Sequence, residues 1–105
     1  MTKKATLEVR LNDKKLSIDN GDNKENIRLN DSLFNAKVTN KDNTDYLELQ
    51  YKPADFGVIE EDSEDIYAAL KKQNLTEITV SPCPEENGIS TIALYGNFNT
   101  QVYQR

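Results

Sequence analysis

Six carboxylates, Asp55, Glu60, Glu61, Asp62, Glu64 and Asp65, fall within eleven residues that contain no Lys or Arg. Carboxylates in such number could divide acid and base roles over a substrate, or present dense negative charge to a cationic surface. The first use needs a partner at fixed separation, and Glu48 with an acid of the 60–65 group is the pairing open on paper. A cation-binding loop would need oxygen ligands at alternating positions. Asn40, Asp42 and Thr44, with Asp45 adjacent, alternate like oxygen ligands, and Asp19, Asp22 and Glu25 cluster similarly. The first has Asp45 where a calcium loop needs Gly, and the second is too short, so both read as turn residues and no metal is expected.

The absent residue types exclude more. Without His, the usual base at neutral pH and the commonest metal ligand are both missing. Cys83 is the only cysteine, which rules out an intrachain disulfide, and Ser81-Pro82-Cys83-Pro84 reads as an exposed loop with no base near the thiol. The four glycines are dispersed, so neither a phosphate loop nor a dinucleotide fingerprint can be assembled. The expectation is a non-enzymatic protein with no cofactor.

The elements that must position the acids follow from periodicity. Leu7, Val9 and Leu11 alternate with polar residues, and the alternation resumes at Leu16 and Ile18 beyond the turn Asn12-Asp13-Lys14, predicting a hairpin. Ile27 and Leu29 mark a third strand. Phe34, Ala36 and Val38 face Leu47, Leu49 and Tyr51 across the loop Asn40 to Asp45, a second hairpin that Pro53 ends. The first half is thus expected to be an antiparallel meander. Asp62-Ser63-Glu64-Asp65 offers an N-cap and first-turn acids, and Ile66, Ala69 and Leu70 recur at helical spacing up to Lys71-Lys72, predicting a helix over about 63–73. Asn74 stands where a left-handed residue closes a helix, and Leu75 can touch Leu70 in a Schellman pairing. Thr76 to Ser81 and Ile89 to Tyr95 supply further strands around a turn from Pro82 to Gly88, and the tail keeps Phe98, Val102 and Tyr103 for docking. The predicted fold is α+β: one domain over 1–105, with a twisted antiparallel sheet of about six or seven strands and one helix packed across it.

The chain is 105 residues with a net charge of −5. Leu, Ile, Val and Phe make up about a quarter of it, above the roughly 20% below which disorder is expected. No apolar run approaches the ~18 residues of a membrane span, and Met1-Thr2-Lys3-Lys4 leads into a polar alternation and not a signal peptide, so a cytoplasmic location is expected. Charge is unevenly placed: residues 1–54 carry net +1 and residues 55–105 carry net −6. Direct nucleic-acid binding is therefore disfavoured.

Two readings of the acidic segment remain open. In one, Asp62, Glu64 and Asp65 complement the helix dipole and the others solvate a loop. In the other, Asp55, Glu60 and Glu61 are surplus to any dipole, and the six acids dock on the Lys and Arg groove of a nucleic-acid-binding protein, with Tyr67, off the apolar stripe, as an aromatic anchor. In overall profile the chain resembles the small acidic inhibitors carried by phages and mobile elements, including anti-CRISPR proteins and other DNA mimics; the resemblance spans the whole chain and transfers no residue. It implies a partner with a basic surface. The alternatives are a small-molecule or ion-binding accessory domain with its pocket between helix and sheet, or a self-assembling subunit pairing through Ala5 to Leu11 or the strand Ile89 to Tyr95.

Overall fold

The strand alternation predicted through Leu7, Val9 and Leu11 and through Leu47, Leu49 and Tyr51 holds in the computed structural model, which describes residues 4–52 and 56–104, whereas on the Phe34, Ala36 and Val38 run Phe34 and Val38 are exposed. β1 (Ala5–Arg10), β2 (Lys15–Asp19) and β3 (Lys24–Arg28) pair antiparallel in sequence order, with Leu7 opposite Ile18, Val9 opposite Leu16 and Leu16 opposite Ile27. β4 (Leu33–Lys41) and β5 (Thr44–Tyr51) form the second hairpin. Its turn residues Asp42 and Asn43 both have positive φ, the arrangement a two-residue hairpin turn requires. Asp45 accepts from Asn40 Nδ2 beside that turn, while Asp19 and Asn20 accept backbone N–H groups of Gly21, Asp22 and Asn23 in the loop after β2, so these side chains serve as turn chemistry.

The expected single sheet is instead two sheets of four, with eight strands among the described residues. The meander breaks between β3 and β4, which lie in different sheets; the orders are β3-β2-β1-β8 and β4-β5-β7-β6. Two short crossings do this. Leu29 to Ser32 carries the chain out of the first sheet, and Gly96 and Asn97 carry it back from β7 (Ile89–Gly96) to β8 (Phe98–Tyr103). Because β8 arrives from the opposite sheet, it runs parallel to β1, with Ala5 opposite Phe98 and Val9 opposite Val102. The docked tail is thus a full strand. Both strands considered for self-pairing, Ala5 to Leu11 and Ile89 to Tyr95, are interior in their sheets.

The turn expected from Pro82 to Gly88 is also corrected. β6 (Thr79–Glu86) runs through Pro82 and Cys83, with Cys83 opposite Thr91 and a register irregularity before Glu86. As an edge strand, β6 tolerates a residue that cannot donate to a ladder. The two sheets and α1 (Phe56–Lys72) enclose one apolar core, with Leu7, Val9, Leu16, Ile18, Leu33, Leu47, Leu49, Ile59, Ile66, Ile92 and Leu94 all fully buried. The helix packs on β6, β7 and β3 and so spans from one sheet to the other. Among the described residues no helix is long and apolar enough to cross a membrane.

The helix ends as its sequence predicts and starts earlier. Asn74 has φ 61°, Leu75 N–H donates to Leu70 C=O at 2.9 Å and Asn74 N–H to Lys71 C=O at 3.1 Å, the two bonds of a Schellman motif. At the other end Asp62 is not an N-cap: the helix already begins at Phe56, and its first turn holds no acid. Burial decides this. Ile59 is fully buried and extends the core stripe about two turns ahead of Ile66, and such packing outweighs a local capping preference.

Gly96 makes the crossing between sheets possible. Its φ is +156°, and a Cβ there would lie 3.1 Å from Glu77 O and 3.3 Å from Ile78 Cα, both backbone atoms with little room to yield. Gly96→Ala is expected to destabilise the fold by about 1–3 kcal/mol, read as a lower urea midpoint with an unchanged slope.

Candidate functional site

An α-helix laid against a sheet buries one stripe and exposes the rest. On α1 the buried stripe is Ile59, Asp62, Ser63, Ile66, Ala69 and Leu70, two polar residues inside an otherwise apolar row. The acidic segment is therefore divided, and its members do different things.

Asp62 is inside the protein. It is only 6% exposed, and its Oδ2 accepts two hydrogen bonds, from Tyr51 Oη at 2.8 Å and from Asn30 N–H at 2.9 Å. One oxygen thus ties the helix to the end of β5 and to the crossing between the sheets. The Tyr51 ring is fully buried, and burial first, then the neighbouring Asp62 charge and hydrogen bond, hold its phenol far above the ordinary tyrosine range. Asp62 is thereby engaged with its own fold and not displayed to a partner.

Glu60, Glu61, Glu64 and Asp65 are all exposed. They form two like-charge rows at helical i, i+4 spacing, Glu60 with Glu64 on one flank and Glu61 with Asp65 on the other. None of the four has an ion-pair partner among the described residues, whose salt bridges involve other acids: Glu8, Glu25, Asp31 and Asp45. Asp65 borders a shallow cleft shared with Arg28 and Lys72, so its flank is of mixed charge. Asp55 lies outside the described residues. The dipole account of these acids also falls, because they occupy the middle of the helix and the effect fades beyond the first turn.

Tyr67, 59% exposed, belongs to the Glu60 and Glu64 flank. With Glu60, Ser63 and Glu64 from the helix and Val80 and Pro82 from β6 it lines an open groove of about 300 Å³. Ser63, Val80 and Pro82 were not foreseen as site residues. The signal for Ser63 lay in the spacing 59, 63, 66, 70, legible once the helix is started at Phe56. That for Pro82 was masked because a proline pair reads as a loop.

Glu48 does not meet the helix acids. It faces outward from the second sheet, in a trough with Tyr46, Gln50, Thr91 and Ala93, whereas its neighbours Leu47 and Leu49 point into the core that the helix joins. The acid and base pairing open on paper is therefore not assembled. Nearby Tyr46 and Tyr95 stack with ring centroids 5.7 Å apart. Comparison with protein-family models, curated proteins and solved structures finds no match to this chain.

Replacing Asp62 by Ala leaves Tyr51 Oη and Asn30 N–H without a partner, at an expected cost of about 1–3 kcal/mol for each orphaned donor. Asp62→Asn keeps an acceptor and is expected to lose less, with urea unfolding as the measure of both. Because folding raises the Tyr51 value, its contribution to stability is complete below the ordinary 10.0 and is lost as pH rises above it. A Tyr51→Phe variant is accordingly expected to show a shallower alkaline decline in stability than the parent protein.

Proposed function

We propose that this is a non-enzymatic interaction protein whose helix α1 docks on the basic, nucleic-acid-binding surface of a partner protein and blocks it, in the manner of a DNA mimic. The observation that carries the reading is the exposed acidic ridge Glu60, Glu61, Glu64 and Asp65, held on a helix with no cation paired to it among the described residues. No ion pair among the described residues rewards these charges. Like charges at i, i+4 cost a few tenths of a kcal/mol per pair, so their retention on one helix is better accounted for by something they attract.

Charge density supports the same partner class. Four carboxylates in six helical residues, at about 1.5 Å of rise each, give roughly one charge per 2 Å of axis, against about one per 1.7 Å in duplex DNA. A groove of Lys and Arg evolved for phosphates would meet a similar field here, and steering would speed the encounter. The Asp62 anchor adds rigidity, so little ordering entropy is spent on docking.

The test is retention of proteins from a bacterial lysate by the tagged chain, at low and high salt and after nuclease treatment. A nucleic-acid-binding protein is expected to be retained at low salt and released at high salt. The combined variant Glu60→Gln, Glu61→Gln, Glu64→Gln and Asp65→Asn is expected to lose that retention, with stability equal to or slightly above the parent's because two repulsive pairs are relieved. Retention undiminished by the four changes would overturn the reading.

A further inference from the structure

The groove between α1 and β6 combines features that the acidic ridge alone does not. At its floor Ser63 is only 7% exposed, and its Oγ is buried with no hydrogen-bond partner. A buried hydroxyl left unpaired is a cost to the fold, and Ser63 is among the residues that line this groove. At the rim stand the carboxylates of Glu60 and Glu64, one helical turn apart, with Tyr67 beside them. The opposite wall is the apolar surface of Val80 and Pro82, and among the described residues no base lines the groove.

We infer that this groove is a receptor for a single arginine side chain presented by the basic partner, an inference that rests on the docking role proposed for α1. Each part of an arginine finds its complement. The aliphatic stem lies along Val80 and Pro82, the guanidinium plane stacks on the exposed Tyr67 ring, and its N–H groups donate to Glu60, Glu64 and the Ser63 hydroxyl. The planar fork of five donors suits several acceptors at once, whereas an ammonium cannot stack and match them together. Beyond Tyr67 a smaller recess, lined by Leu70, Lys71, Leu75, Thr76 and Ile78, carries a positive charge of its own, which confines the incoming cation to the Glu60 and Glu64 side. The open form of the groove also fits a side chain carried on a larger surface better than a free small molecule, which a binding pocket usually encloses.

The experiment uses hexa-arginine and hexa-lysine peptides of equal charge, titrated into the full chain labelled for nitrogen-detected NMR. Hexa-arginine is expected to bind about fivefold or more tightly than hexa-lysine, with shifts centred on residues 60–67 and 80–82. Tyr67→Leu, an exposed substitution, is expected to abolish the preference for arginine. Ser63→Ala removes an unpaired hydroxyl and is expected to leave thermal stability equal or raised while weakening hexa-arginine binding; a purely structural serine would not lower affinity. Equal affinity for the two peptides, shifts centred away from the groove, or indifference to both variants would each overturn the proposal. The two readings fail separately. A lysate partner lost with the four neutralised acids but unaffected by Tyr67→Leu and Ser63→Ala removes the arginine receptor and keeps the docking role. Arginine-selective binding in the groove with no basic protein retained from the lysate does the reverse.

Discussion

A single carboxylate oxygen organises this molecule. Asp62 Oδ2 receives the Tyr51 hydroxyl from the last residue of β5 and the Asn30 N–H from the crossing between the sheets, and so joins three segments distant in sequence. A buried acceptor with two donors tolerates little rotation, which fixes the angle of α1 about its own axis. That angle in turn decides which side chains are displayed. With Asp62 facing inward, Ile59, Ile66 and Leu70 enter the core, Ser63 meets the groove, and Glu60, Glu61, Glu64 and Asp65 face solvent. The acid buried for structure thereby orients the acids left free.

The other end of the helix is fixed by different means. Its closing turn contains Gln73, whose Nε2 donates to Ile18 C=O at 3.0 Å and whose C=O accepts from Asn20 Nδ2, while Lys72 pairs with Glu25 at 3.2 Å. The C-terminal end is therefore tied to the first sheet, while Asp62 ties the helix to β5 of the second sheet and to the crossing, and the helix also packs on β6 and β7. A helix held in this way cannot follow one sheet without the other. The exposed face thus has the rigidity of the whole core behind it, a favourable condition for electrostatic recognition, where displaced charges lose complementarity.

Local rules carried much of the fold in the sequence and failed where distance mattered. The alternations of Leu7, Val9 and Leu11 and of Leu47, Leu49 and Tyr51, like the Schellman closure at Asn74 and Leu75, depend on neighbours within a few residues and were legible. The division into two sheets was not, because Leu29 to Ser32 and Gly96 to Asn97 look like ordinary turns until the core shows which sheet each strand joins. The helix start was misread because Asp62-Ser63 resembles a cap, a role displaced by burial of Ile59. Of the candidate site, the exposed acids and Tyr67 were found from composition and stripe position. The fate of Asp62 and the contribution of β6 were hidden, since both depend on contacts with residues far along the chain.

The pairing of β1 with β8 bears on how the protein is made. These strands lie side by side in parallel although Ala5 and Phe98 stand at nearly opposite ends of the described chain. Closing a loop of that length has the greatest entropic cost of any strand pairing here, and parallel ladders are slow to form. During synthesis β1 is made before either of its described partners and, of these, has β2 alone beside it until Phe98–Tyr103 have been added, so its other edge waits for β8. The strand β8 thus acts as a latch: the first sheet acquires its complete hydrogen-bonded order only once Phe98–Tyr103 have been added, and the interval before that is when the chain is most open to misassociation.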